Sequence, residues 1–389
     1  MHLVFVTSLV PVAEPKSGYD IANRVIVDAM RAAGHRISVL GFLAPGAEPH
    51  MPEETRLLGT LEVTNARVGA GRKARWLARA IAGGEPVSVA KMHAAGSTEV
   101  AEALAALAPF DGLVLNSVQL PGAFLDRFRS HPFVFVAHNV EARSASDNAG
   151  GASGFVSRLL FRREARVLEC LEKRLCDLAA HVFTLADADR SDLGIGQGRA
   201  TTLPLVTSFA PPPAPEARVP VHDIGMIGSW TWAANRTGLD WFLESIVPRL
   251  PADFTIAVAG GMSGSPKACP ENVHFLGRVA DARAFVRSAR VIPLVSQVGT
   301  GVQLKTIETF EMGLPSVATS NALRGLSHIP ENCLRADDPE AFARALVEMV
   351  GRARGGEAVD LDGRDFHADQ VRRLKAALQS GLSRLGETG

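Results

Sequence analysis

Residues 290–325, RVIPLVSQVGTGVQLKTIETFEMGLPSVATSNALRG, constrain the fold of this 389-residue chain more than any other stretch. A short apolar strand (Val291, Ile292, Leu294, Val295) runs into a glycine-bracketed loop, Gly299-Thr300-Gly301. That loop opens a helix carrying Lys305 and Glu308, which ends near Gly313-Leu314-Pro315 before a second apolar strand, Ser316 to Thr319. Strand, flexible loop and helix N-terminus, in that order, aim backbone N–H groups and a positive dipole end at an anion, usually a phosphate. Lys305, one turn in, adds a full positive charge. Glu308 lies three residues further on a neighbouring part of the helix surface, placed to accept hydrogen bonds from ligand hydroxyls. Phosphate beside a polyol points to a nucleotide sugar.

The same alternation runs along the whole chain. Strands are expected at Leu3–Thr7, Ile37–Leu40, Gly112–Asn116, Phe133–Ala137 and Val182–Leu185, with helices at Ile21–Ala33 and Val100–Leu107 and a long amphipathic one at Ser157–Leu175. Strands alternating with helices argue for a parallel, doubly wound sheet. The run PPPAPEARVP at 211–220 cannot continue a helix or a central strand, and reads as an interdomain linker. Beyond it the pattern restarts. Strands are expected at Asp223–Ile227, Phe254–Ala259 and Val273–Leu276, and helices at Asn235–Ile246, with Asn235 as N-cap, and near Asp281–Ser288. The predicted division is 1–206, a linker over 207–220, a second domain over 221–365 and a terminal amphipathic helix within 366–389.

Composition narrows the function classes. The length suits two domains rather than one core. Lys+Arg and Asp+Glu both total 41, so no global field draws the chain to nucleic acid or to an anionic membrane. Cys170, Cys176, Cys269 and Cys333 form no CxxC or CxxH pair and read as reduced thiols of a cytoplasmic protein. The N-terminus suits a buried strand better than a signal peptide, and no apolar run is long enough to span a bilayer. No GxGxxG follows the first strand, and no histidine pairing implies a metal. Asp187-Ala188-Asp189 spells DxD but begins a helix, where Asp187 reads as a cap or first-turn carboxylate.

The 290–325 segment resembles the donor-binding element of family-four glycosyltransferases, retaining enzymes of the GT-B fold, densely from about Asp223 to Leu326 and more loosely before that. Glu308 matches the second glutamate of the family's glutamate–seven residues–glutamate motif. Thr300 stands where the first would be, and Lys305 resembles the substitute in a branch reading roughly GTG-x-x-x-K-x-x-E. The resemblance implies two doubly wound domains with the active site in the cleft between them, closing about the 211–220 hinge. It also implies a C-terminal helix that crosses back to the first domain. The expected donor is a nucleoside diphosphate sugar, with UDP or GDP as the nucleotide, and no cofactor or metal. Gly299, Thr300, Gly301, Val302, Lys305 and Glu308 would hold the donor, with Lys305 stabilising the charge of the leaving diphosphate and Glu308 holding the ribose hydroxyls.

Other candidates end strands, where ligands gather in open α/β sheets. Gly228-Ser229, in IGSWTWAAN, resembles the family's first donor loop, or is an ordinary turn with two packing tryptophans. Gly277-Arg278-Val279 resembles the loop that holds the nucleotide base, with Arg278 either flanking the base or a solvated charge. His138, in FVAHNVE, matches a family histidine that contacts the donor sugar, and is assigned with Lys305 to the catalytic set. Glu141 is either an acceptor-side group or a helix-start carboxylate. Ser17-Gly18 either resemble the family's glycine-containing first loop, with Gly18 bringing the backbone near the acceptor or the donor phosphate, or form a plain βα loop. Acceptors of the glycan, lipid-linked or small-molecule kind are all open. Arg72–Trp76 and Arg158–Arg163 mix charge with apolar residues, which suits either solvated helix faces or a peripheral contact at the inner face of the membrane. Two other readings remain: a GT-B sugar-nucleotide epimerase, and a non-catalytic binding partner of another transferase.

Overall fold

The computed structural model describes residues 1–63, 68–151, 154–262, 264 and 270–387, so Cys269 lies outside the described residues. The chain divides into two units, Met1–Phe209 with Val371–Gly389, and Ala210–Gln370. Each is built on one parallel sheet.

In unit 1 the strands are β1 (His2–Leu9), β2 (Arg36–Leu43), β3 (Thr55–Thr60), β4 (Gly112–Asn116), β5 (Phe133–Ala137), β6 (His181–Thr184) and β7 (Ala200–Thr202), in the order β3-β2-β1-β4-β5-β6-β7. Every pairing is parallel. The interior strands β4, β5 and β6 are buried along their whole length, which is why they read as unbroken apolar runs: helices cover both faces of such a sheet. Phe5, Phe42, Phe128, Phe135 and Phe183 fill the core.

Unit 2 contains β8 (His222–Ile227), β9 (Ile256–Ala259), β10 (Val273–Gly277), β11 (Ala289–Leu294), β12 (Ser316–Ala318) and β13 (Cys333–Arg335), ordered β10-β9-β8-β11-β12-β13 and again parallel. Trp230, Phe242, Phe310 and Phe342 are its largest fully buried side chains. In both sheets the strand order reverses beside the first strand, between β1 and β4 and between β8 and β11. Loops leaving such neighbours diverge and open a crevice at their carboxyl ends.

Several expectations shift. Asn235 is not the N-cap: the helix is Ala233–Trp241, Trp232 is the extended residue before it, and Asn235 sits in the first turn with its amide donating to the Ser229 carbonyl (3.2 Å). Helical pairing then widens to a π turn at Phe242–Ile246 instead of running on regularly. Residues 211–220 form no helix or strand, yet their end is fastened to unit 2, because the Arg218 guanidinium makes two 2.6 Å bonds to Asp360. The last long helix begins earlier than expected, at Gly363, and the division between the units falls inside it. Three short strands (β3, β7, β13) and the Pro339–Arg354 helix were not expected at all.

Gly313 ends the Leu304–Glu311 helix at φ 69°, and a Cβ there would lie 1.9 Å from the Leu361 carbonyl oxygen. Gly313→Ala should therefore cost more than the about 1–2 kcal/mol of a left-handed non-glycine residue. A lowered midpoint in thermal denaturation checks this.

Candidate functional site

In unit 2 the carboxyl ends of three strands are laced together by backbone. Gly228 N–H donates to the Ala259 carbonyl (3.2 Å), Trp230 N–H to Gly261 (2.9 Å), and Gly260 N–H to Gly277 (2.6 Å). Gly260 has φ 119°, and a Cβ on it would fall 1.8 Å from the Gly228 oxygen, so only glycine lets these two turns pass. Trp230 is buried with its indole N–H on the Ala259 carbonyl (2.8 Å), making it a floor for the loop, whereas Trp232 is 65% exposed. Ser229 is exposed, its hydroxyl 3.0 Å from that of Thr231. Gly277 and Arg278 are exposed, Val279 half-buried, and the Arg278 side chain runs along Gly261.

Beside β8, β11 leads into the 295–303 loop. Its start is held from beneath: Ser296 N–H donates to Thr319 Oγ1 (3.1 Å), and the Asn321 amide donates to Ser296 Oγ (2.9 Å) and to the Gly299 carbonyl (3.4 Å). Gly299 takes φ 106°, and Thr300 is 3% exposed. Gly301 and Val302, both half-buried, lead to Gln303, so the helix starts at Leu304, three residues beyond the glycine loop, and Lys305 is its second residue. Among the described residues no side chain caps that N-terminus, nor that of Ala233–Trp241, so both present N–H groups that an anion can accept from.

The Lys305 ammonium donates to the Val295 carbonyl (3.3 Å), and burial lowers its pKa to about 8. Among the described residues no carboxylate pairs with it. Burial raises the Glu308 carboxyl above its ordinary value, opposed by Arg283 and reinforced by Glu311. Arg283, exposed in the Ala282–Arg287 helix, was not singled out from sequence; only the fold brings it within electrostatic reach of Glu308.

Unit 1 carries the other candidates, at its β1/β4 switch point and on the neighbouring end of β5. His138 follows β5 and is half-buried; desolvation lowers its pKa to about 4. The Asn116 amide nitrogen, at the end of β4, donates to Thr7 Oγ1 (3.1 Å) and Asn23 Oδ1 (2.9 Å), which turns its Oδ1 toward His138 Nε2 at 2.8 Å. Nε2 therefore carries the proton and Nδ1 the lone pair. The Tyr19 ring lies 5.0 Å from the imidazole, its hydroxyl 2.9 Å from Thr7 Oγ1.

Glu141 starts the Glu141–Gly151 helix; burial raises its carboxyl pKa, against a hydrogen bond from Gln119 (3.4 Å). Glu172 accepts from the N–H groups of Glu141 (2.6 Å) and Ala142 (3.1 Å), holding that helix start in place. Ser17 is spent as a cap: it accepts from Asp20 N–H (3.2 Å) while the Asp20 carboxylate receives Ser17 N–H (3.0 Å), and Gly18 is the exposed first helical residue. A cavity of about 920 Å³ opens beside this network, with Ser8, Ser17, Tyr19, Asp20, Lys91 and Gln119 among its walls. The DxD reading resolves as expected: Asp187 is a first-turn residue that accepts from the Thr202 hydroxyl (2.5 Å). Among the described residues no group of three or more His, Cys, Asp or Glu side chains is gathered as metal ligands would be.

Residues 221–352, about a third of the chain, match the family model described as glycosyl transferases group 1. No curated protein matches. Among solved structures, sucrose-phosphate synthase from Thermosynechococcus elongatus is similar over 100% of both chains, at 15% identity and a TM-score of 0.66. HepE from Anabaena, in complex with UDP, is similar over 98% of this chain and 100% of its own (13% identity, TM-score 0.60). A glycosyltransferase from Rickettsia africae covers 99% of this chain and 98% of its own (13% identity, TM-score 0.58). At these identities the likeness is one of fold: a two-domain α/β chain of the GT-B kind.

The hydrogen bonding around His138 should be visible by 15N NMR, as an imidazole protonated at Nε2 that gains no second proton between about pH 5 and pH 8, given its pKa of about 4.

Proposed function

We propose that this protein is a retaining glycosyltransferase that moves a sugar from a nucleoside diphosphate sugar, UDP or GDP, to a glycan, lipid-linked or small-molecule acceptor. One observation carries the reading. At the β8/β11 switch point a desolvated ammonium, Lys305, stands in the first turn of a helix, and among the described residues no carboxylate pairs with it and no side chain caps that helix. Burial of a cation costs free energy unless it is compensated, and a diphosphate supplies the compensation. The family model over the same unit supports the reading, as does the UDP bound by the similar HepE structure.

In this reading the diphosphate lies over Gly228-Ser229 and the start of the Lys305 helix, Glu308 accepts from ribose hydroxyls, and Gly277-Arg278-Val279 flank the base. As the glycosidic bond breaks, charge grows on the leaving diphosphate. Lys305 and the oriented N–H groups are already in place to stabilise it, so no metal is required. The acceptor occupies the unit 1 cavity. His138, neutral with a lone pair on Nδ1, accepts a hydrogen bond from a sugar hydroxyl. No carboxylate is assigned as a nucleophile; the leaving phosphate takes the acceptor proton on the same face, which gives retention.

A thermal-shift panel of UDP- and GDP-sugars tests the donor site, since a ligand bound only to the native state raises its melting temperature. One nucleotide class should stabilise the wild type. Lys305→Ala should weaken binding roughly ten- to a hundredfold, the range of a charged hydrogen bond of about 1.5–3 kcal/mol, and Glu308→Ala should diminish the response. Equal, weak responses of wild type and Lys305→Ala would count against the assignment. Because diphosphate binding favours the protonated amine, affinity measured by calorimetry should fall as pH rises through about 8, to about tenfold weaker at pH 9 than at pH 7. That dependence should vanish in Lys305→Met. Product anomers read by NMR should keep the donor's configuration, and excess EDTA should leave turnover unchanged.

A further inference from the structure

The start of the Phe155–Leu178 helix shows solvent what such helices usually hide. Phe155 is 79% exposed, Val156 69% and Leu159 57%. At about 100° per residue these three share one face, roughly 100° wide, and Arg158, Arg162, Arg163 and Arg166 lie along or beside it. Glu164, the only acid among residues 155–166, points the opposite way, accepting from the Val87 N–H (2.8 Å). Arg163 clamps the helix by donating to the carbonyls of Ala80 (2.6 Å) and Glu85 (3.2 Å), next to Ile81, itself 55% exposed. The guanidinium groups of Arg158, Arg162 and Arg166 form no ion pair among the described residues.

We propose that this face docks on an anionic lipid bilayer, with the helix lying in the plane of the interface, Phe155, Val156 and Leu159 at the acyl boundary and Arg158, Arg162 and Arg166 on lipid phosphates. The combination of chemistries selects the partner. Unpaired arginines alone suit any polyanion, but a nucleic acid backbone gives exposed Phe, Val and Leu nothing to bury against. A second copy of the chain would set these arginines against their own equivalents across a two-fold axis. A bilayer with acidic headgroups satisfies both the apolar stripe and its basic border. No helix among the described residues is long and apolar enough to cross a membrane, so the contact would be peripheral. The other basic stretch contributes less, because Trp76 turns inward with the Lys91 ammonium 5.0 Å from its ring.

Flotation of the full chain with vesicles tests this independently of any donor. Binding to vesicles of roughly 3:1 phosphatidylcholine to phosphatidylglycerol should exceed binding to phosphatidylcholine alone by at least about tenfold, and should weaken from about 0.05 M to about 0.5 M salt. Phe155→Ser with Leu159→Ser, and separately Arg158→Glu with Arg162→Glu, should each lower it by about tenfold or more. All four positions are exposed, and an unchanged melting temperature and nucleotide response would show the fold intact. Wild type that ignores anionic vesicles, or variants that float as well as wild type, would overturn the proposal. So would concentration-dependent dimerisation abolished by the same substitutions, which would assign the face to a second copy.

Discussion

Where β8 and β11 lie side by side, the chain leaves the sheet in diverging directions, and the backbone there cannot be satisfied by another strand. Much of what is chemically distinctive in unit 2 follows from that divergence. The Gly228, Gly260 and Gly277 turns close the gap on one side by bonding to each other, which requires glycine at the tightest approach. On the other side the 295–303 loop is braced by Thr319 and Asn321 and delivers an uncapped helix start. The sheet's need to bury both faces thus produces a polar rim as a geometric by-product.

Charge is handled differently at the two ends of that sheet. Asp223, at the amino end of β8, is buried, which by itself would raise its carboxyl; hydrogen bonds from Arg354 (2.7 Å) and Thr255 hold it below the usual carboxylate value instead. Arg290 adds a further contact at 3.3 Å. At the carboxyl end Lys305 has a carbonyl and, among the described residues, no carboxylate, and burial lowers its affinity for a proton. A paired buried charge has its desolvation offset by its partners, whereas an unpaired one lacks a counter-ion. The contrast separates an end of the sheet where the buried charge is paired from an end where, among the described residues, it has no carboxylate partner.

Unit 1 applies the same geometry to hydrogen bonding. Thr7, Asn23 and Asn116 converge from β1, the helix after it and β4, and each polar atom has a partner. Fully satisfied networks of this kind hold one arrangement. Here the result is an imidazole of defined tautomer, kept neutral by desolvation, with its ring 5.0 Å from that of Tyr19, which lines the unit 1 cavity.

The sequence by itself determined the parallel α/β class, the proline-rich break near the division into units, and the strand–loop–helix segment that holds Lys305 and Glu308. These are legible because they rest on local period, glycine and proline, which act within a few residues. Short strands such as β7 and β13, three residues each, carry too little period to be seen. Tyr19, Asn23, Asn116 and Gln119 were invisible for a different reason: Asn116 meets Asn23 across 93 positions and Gln119 meets Ser8 across 111. Only the tertiary structure decided which polar groups gather near the switch points, which histidine nitrogen holds the proton, that Ser17 is spent as a cap, and that Lys305 is desolvated with no carboxylate partner among the described residues. Protonation and hydrogen-bond partnership depend on what surrounds a side chain in space, and for these groups much of that surrounding comes from distant parts of the chain.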